Sequence, residues 1–222
     1  MARRCASATW SSSTIRSANR SPVTGILGGT FDPVHRGHTS AATQLLHAAD
    51  LAEVWLMPNG QPPHRTVPPV ASARHRLLMV ELAVEGIDGI RASAFEVERG
   101  GPSYTIDTLR ALRRTDPERE VALLLGFDAA LQIRGWHEAD ALLREARFII
   151  FSRPWVALKS AQLSELGFPA TTTLIQIETP PISARTIRER LVRGEPVDAM
   201  VVPAVAAYIR EHGLYPPHNR MG

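Results

Sequence analysis

The chain has 222 residues, 44% hydrophobic and 21% charged, with a single cysteine; it reads as one or at most two soluble globular domains, and wholesale disorder is excluded. No apolar run approaches the ~18 residues of a membrane span, and Cys5 alone cannot build a disulfide framework, so a membrane-spanning chain and a secreted stapled scaffold are excluded too. The net charge of +3 comes from one end: residues 1–22 carry Arg3, Arg4, Arg16 and Arg20 and no acid, and removing those four from 25 basic residues leaves 21 against 22 acidic ones, so nucleic acid is not an expected partner.

Residues 1–22 are rich in Ser and Arg and nearly free of branched apolar residues, which predicts a disordered N-terminal extension. An Arg- and Ser-rich, acid-poor composition is what transit peptides show, but the plainer reading is a natural tail or a start codon assigned too far upstream. From Val23 onward short apolar runs alternate with amphipathic stretches, the rhythm of βα units. Strands are predicted over Thr24–Leu27, Glu53–Met57, Ile90–Ala94, Val121–Leu125, Phe148–Phe151 and Thr173–Ile177. Several are continuously apolar, as strands covered on both faces should be. Helices are predicted over Gly37–Ala49, Ser72–Val84, Thr105–Arg114, Ala139–Glu145, Ala161–Leu166, Ser183–Arg193 and Pro203–His212. The implied fold class is α/β: a Rossmann-like, doubly wound parallel sheet in a single domain, residues 23–222. The loop Pro58–Pro69, with five prolines, is long for a plain βα connection and suits a substrate loop.

Ligands of such a sheet bind beyond the carboxyl ends of its strands, where the strand order reverses. The unusual residues fall there. After the first strand comes G-G-T-F-D-P-V-H-R-G-H, residues 28–38, running straight into a helix. Gly28 and Gly29 let a backbone pass close to a nucleotide, Pro33 fixes the turn, and His35 and His38 share one face of the first helical turn, beside free N–H groups. That arrangement suits polyphosphate. A zinc reading of H-x-x-H fails for want of a third ligand nearby, so no resident metal site is expected.

These eleven residues resemble the signature of the nucleotidyltransferase superfamily with an H-x-G-H motif, present as His35-Arg36-Gly37-His38. The resemblance implies transfer of a nucleotidyl group from ATP, with release of pyrophosphate. I-S-A-R-T-I-R, residues 182–188, is similar to the superfamily's I-S-x-T-x-x-R element, whose Ser and Arg hold the β- and γ-phosphates. Ser183 as N-cap and Arg188 one turn later suit that role. Arg185 stands where relatives have Thr or Ser, offering a charge in place of a hydroxyl.

Further stretches resemble one branch, the bacterial nicotinate-nucleotide adenylyltransferases, from about Val23 to Tyr215. They are Pro62-Pro63-His64-Arg65, Pro102-Ser103-Tyr104-Thr105 with Asp107-Thr108-Leu109, Gly126-Phe127-Asp128 with Trp136, Ser152-Arg153-Pro154, and Tyr208 with Gly213-Leu214-Tyr215. Two departures stand out: Phe127 replaces a small residue, and His137 follows Trp136 where relatives often have another aromatic.

The resemblance implies catalytic roles for His35, His38 and Arg188, and ATP contacts from Gly28, Gly29, Thr30, Phe31, His38, Ile182, Ser183 and Arg188. It implies nicotinate mononucleotide contacts from Asn59, His64, Tyr104, Thr105, Gly126, Asp128, Trp136 and Arg153, with the Trp136 indole stacked on the pyridine ring. Mg²⁺ is expected with ATP. The expected setting is a cytoplasmic enzyme of NAD biosynthesis, acting on small molecules and compatible with a homo-oligomer. Rival readings are a phosphopantetheine adenylyltransferase, a nicotinamide-preferring homologue, a class I aminoacyl-tRNA synthetase (too long for this chain) and a nucleotide-binding regulator that has lost catalysis.

Overall fold

Six largely apolar runs form one parallel sheet with a hydrophobic core on each of its faces. The computed structural model describes residues 22–63, 67–153 and 160–216. The predicted N-terminal extension therefore lies, except for Pro22, outside the described residues, as does His64. In chain order the elements are β1 (Val23–Gly29), α1 (Arg36–Ala48), β2 (Glu53–Pro58), α2 (Ala73–Val84), β3 (Ile90–Ala92), α3 (Phe95–Arg99), α4 (Thr105–Thr115) and β4 (Glu120–Gly126). They continue as α5 (Phe127–Ala130), a 3₁₀ turn (Ile133–Gly135), α6 (Ala139–Glu145), β5 (Arg147–Ser152), α7 (Ser160–Glu165), β6 (Thr173–Gln176), α8 (Ala184–Val192) and α9 (Pro203–Glu211).

The strand order is β3-β2-β1-β4-β5-β6, all pairs parallel. This is the Rossmann-like doubly wound arrangement, with its reversal between β1 and β4. Side chains alternate across the sheet with period two. Val54 and Leu56 of β2, Leu124 of β4 and Ile149 of β5 enter one core with α1, α2, α8 and α9. Met57, Leu123, Leu125, Phe148 and Ile150 enter the other with α4, α5 and α6. Gly25 sits where a Cβ would stand 2.8 Å from Leu51 and 2.9 Å from Leu124, so the centre of β1 is bare to let both neighbours close over it.

All six predicted strands are present, with ends differing by one or two residues. The predicted strand Ile90–Ala94 stops at Ala92 because a short helix, α3, begins at Phe95. Neither α3, α5 nor the 3₁₀ turn was expected; at three to five residues each is too short to show a helical period. No helix among the described residues is long and apolar enough to cross a membrane.

Candidate active site

The strand ends at the β1/β4 reversal open into a cleft of about 470 Å³, lined by residues from six elements and their loops. His35, Gly37 and His38 come from the start of α1, Gly126 from the end of β4, Phe127 and Asp128 from the start of α5, Ser152 and Arg153 from the end of β5, and Ile182, Ser183 and Ala184 from the start of α8. The most distant stretches of the chain thus meet at one point, because parallel strands deliver all their carboxyl ends to one edge.

His35 is the N-cap of α1, in an extended conformation (φ −147°), and the two imidazoles stack with centroids 3.7 Å apart and planes 24° apart. Gly37 permits this, since a Cβ there would lie 3.0 Å from the His35 ring. The His35 N–H donates to His38 Nδ1 at 3.2 Å. An accepting Nδ1 in a neutral ring puts the proton on Nε2, so His38 presents an N–H donor. The Phe31 ring holds it from the side, edge-on at 4.9 Å. Burial, and then the positive Arg153, push His35 down to about 4; burial, and then His35, hold His38 well below the usual imidazole range. Both rings are neutral at pH 7. Among the described residues His35 Nδ1 is buried without a hydrogen-bond partner.

The depressed His35 value links stability to pH. The ring binds its proton at about 6.5 in the unfolded chain and about 4 in the folded one. Its full stabilisation is therefore present above pH 6.5 and is lost as pH falls toward 4, by about 2 kcal/mol at pH 5. Urea unfolding at pH 7 and pH 5 should show at least this drop, and His35→Asn should reduce it to the share of His38, which burial also holds below its ordinary range; a wild-type midpoint that does not move between the two would contradict it.

The turn above β1 is packed tightly. A Cβ on Gly29 would meet the Phe31 ring at 2.9 Å, and Phe31 itself has φ +50°, a left-handed conformation that is strained for a bulky side chain. Thr30 is held through its carbonyl, which accepts from Arg76 Nη1 at 2.8 Å. At the other rim Ser183 caps α8, its Oγ accepting from the Thr186 N–H at 3.1 Å. Arg185 does not turn a charge to the cleft. It pairs with Glu189 at 2.8 Å with its side chain 83% exposed, which corrects the expectation of a phosphate-directed cation there. The hydroxyl missing at 185 is found one residue on: Thr186 Oγ1 lies 2.8 Å from Ser183 Oγ.

Of the remaining predicted residues, Gly28 and Gly29 end β1 and Thr30 and Phe31 open the turn after it, none of them among the cleft's lining residues, and the Asn59 N–H donates to the Gly29 carbonyl at 2.9 Å. Arg188 Nη1 donates to the Asp32 carbonyl at 2.6 Å, a structural bond made one turn below Ser183. Tyr104 and Thr105 open α4, where the Tyr104 ring stacks on His137 at 4.2 Å. Trp136 is half-buried against the second core. Tyr104, Thr105 and Trp136 are not among the residues that line the histidine cleft. Phe127, the unusual residue in its motif, lines the cleft while its side chain joins the second core.

Three residues important to this geometry carried no functional expectation. Arg76 is 1% exposed and forks onto three carbonyls, of Ala71 at 3.2 Å, Thr30 at 2.8 Å and Gly60 at 3.1 Å. Its signal was present in the sequence, a cation on the apolar stripe of Met79, Val80 and Ala83. Asp32 and Tyr215 are bonded to each other across 183 positions, and nothing local announces that pairing. Among the described residues no group of three or more His, Cys, Asp or Glu is placed to hold a metal ion.

A Rossmann-type sheet with two stacked histidines at the N-terminus of its first helix, facing a Ser-capped helix across the strand ends, defines a nucleotidyltransferase. The Cytidylyltransferase-like family model matches residues 26–190. Relatives carrying the name "probable nicotinate-nucleotide adenylyltransferase" include one from Bacillus pumilus, 38% identical over 195 residues, covering 86% of this chain and 97% of that one. Another, from Symbiobacterium thermophilum, is 40% identical over 194 residues, covering 86% and 93%. A solved structure of Plasmodium falciparum nicotinic acid mononucleotide adenylyltransferase complexed with NaAD shares the fold, with a TM-score of 0.74 at 22% identity over 88% of this chain and 98% of that one. The chain belongs to the nicotinate-nucleotide adenylyltransferase family.

Proposed function

We propose that the protein transfers the adenylyl group of ATP to nicotinate mononucleotide, giving nicotinate adenine dinucleotide and pyrophosphate. The observation that carries this reading is the neutral, stacked His35–His38 pair at the mouth of a helix N-terminus, in one cleft with Arg153 and the Ser183 cap. A 5′-phosphate oxygen of the mononucleotide attacks the α-phosphorus in line; the new P–O bond forms as the bond to the β-phosphate oxygen breaks, and the pair of electrons leaves with pyrophosphate. The nucleophile is already an anion, so no enzyme nucleophile is needed, and the protein's task is positioning and charge stabilisation.

In this reading His38 Nε2–H and His35 donate to the α-phosphate oxygens as charge moves there. The backbone of Gly28, Gly29, Thr30 and Phe31 follows the nucleotide. Ile182, Ser183 and the α8 N-terminus receive the leaving pyrophosphate, with Arg188 beneath them. ATP enters as its Mg²⁺ complex, which fits a cleft whose described carboxylates form no cage of their own, since Mg²⁺ commonly rides on substrate phosphates. The mononucleotide lies toward Asn59, Gly126, Asp128 and Arg153, its pyridine ring toward Tyr104, Thr105 and Trp136; His64, outside the described residues, is a contact implied by the family resemblance alone. Backbone N–H donors there accept a carboxylate better than a carboxamide, which brings donors of its own. The setting is cytoplasmic NAD biosynthesis by a domain spanning residues 23–222, without a nucleic-acid partner.

Comparing kcat/KM for nicotinate and nicotinamide mononucleotides tests the assignment. A clear preference for the acid is expected, and equal turnover or a preference for the amide would overturn it. Trp136→Ala should raise the KM for the mononucleotide and spare that for ATP; an unchanged KM would leave Trp136 a core residue alone.

A further inference from the structure

Asp32 lies between the glycine turn and the two histidines, yet its side chain faces away from the cleft and is 2% exposed. A buried carboxylate must be surrounded by donors, and here they come from two distant segments. Val70 N–H donates to Oδ2 at 2.9 Å, Ala71 N–H to Oδ1 at 3.0 Å, and the Tyr215 hydroxyl to Oδ1 at 2.7 Å. The Asp32 carbonyl accepts from Arg188 Nη1 at 2.6 Å, with the same nitrogen 3.9 Å from Oδ2. One residue therefore ties together the β1–α1 turn, the exit of the loop after β2, helix α8 and the segment after α9. Backbone strain gathers at the same place: Phe31, next to Asp32, has φ +50° and Tyr215 has φ +57°. Left-handed conformations of bulky residues persist only where their surroundings over-determine them. The Tyr215 ring is 3% exposed within the first core, which fixes where its hydroxyl points. Burial and the Asp32 carboxylate push that phenol up, so it stays a donor throughout the pH range of an assay.

We infer that Tyr215 and Asp32 form a clasp by which the C-terminal segment holds the β1–α1 turn in register, making both residues positioning residues for His35 and His38. Asp32 precedes His35 by three positions, and the His35 N–H fixes His38 through Nδ1. Freedom released at Asp32 passes directly to both imidazoles. Neither clasp residue touches the cleft, so both act through the turn. The inference deepens the adenylyl-transfer reading and rests on it for its kinetic readout alone.

Tyr215→Phe deletes the hydroxyl and keeps the ring. In the folded variant kcat should fall about tenfold with both KM values within about twofold, because misplaced catalytic groups impair the transition state more than ground-state binding. Amide exchange at His35 should rise while that at Leu124, in the centre of β4, stays as in the wild type. Both changes are required. A wild-type kcat, or a lowered kcat with unchanged His35 exchange, overturns the inference; so does a lower melting temperature with full turnover below it, which is the mark of a merely structural contact. If Tyr215→Phe does not fold, Asp32→Asn, which replaces the acceptor of the Val70 N–H by a donor, is judged on the same two readouts. Should the wild type not turn over ATP and nicotinate mononucleotide, the functional reading fails, and the exchange measurement still decides whether the clasp orders the turn.

Discussion

His38→Ala should lower kcat by about 10²–10³, the range for removing one preorganised donor from a developing oxyanion, or roughly 3–4 kcal/mol of transition-state stabilisation. The expectation rests on the tautomer. His38 Nδ1 is occupied by the His35 N–H, so the Nε2–H is the group left to serve the α-phosphate. The ring is neutral because burial depresses its basicity, and a neutral donor already in place requires no proton uptake before the reaction. The fold should survive, since the ring packs chiefly on His35 and the edge of Phe31. Steady-state kinetics with a circular dichroism control checks this; near-normal kcat in the folded variant would remove His38 from the mechanism.

The second large effect is on stability. Arg76→Met keeps the volume of the chain but removes the guanidinium that serves the carbonyls of Thr30, Gly60 and Ala71. These groups belong to the glycine turn, to the loop after β2 and to the entry of α2. Leaving them buried without their charged donor should cost about 3 kcal/mol, roughly a 10 °C fall in melting temperature for a chain of this size. Lys in its place should rescue little, because a single ammonium cannot reproduce a planar fork onto three acceptors. A melting temperature within about 2 °C of the wild type would show that the carbonyls find other partners.

How much was legible in the sequence depended on the range of the interaction. Strands such as Val121–Leu125 and Phe148–Phe151 were readable because burial on both faces leaves an unbroken apolar run. The first helix and its histidines were readable because the turn, the glycines and the i, i+3 spacing all sit within eleven residues. Arg185 was misjudged because a motif position carries no side-chain direction; on the finished helix it points to Glu189, one turn on. The bond between Asp32 and Tyr215 was invisible, though both residues stand in motifs, because it is made only after the whole sheet has been wound.

The most direct test supplies the wild-type enzyme with Mg²⁺, ATP and nicotinate mononucleotide, follows pyrophosphate release, and identifies the product by mass. The account predicts pyrophosphate and nicotinate adenine dinucleotide in equal amounts, with the rate collapsing in His38→Ala. Absence of pyrophosphate at any substrate concentration, or release without formation of the dinucleotide, would contradict it.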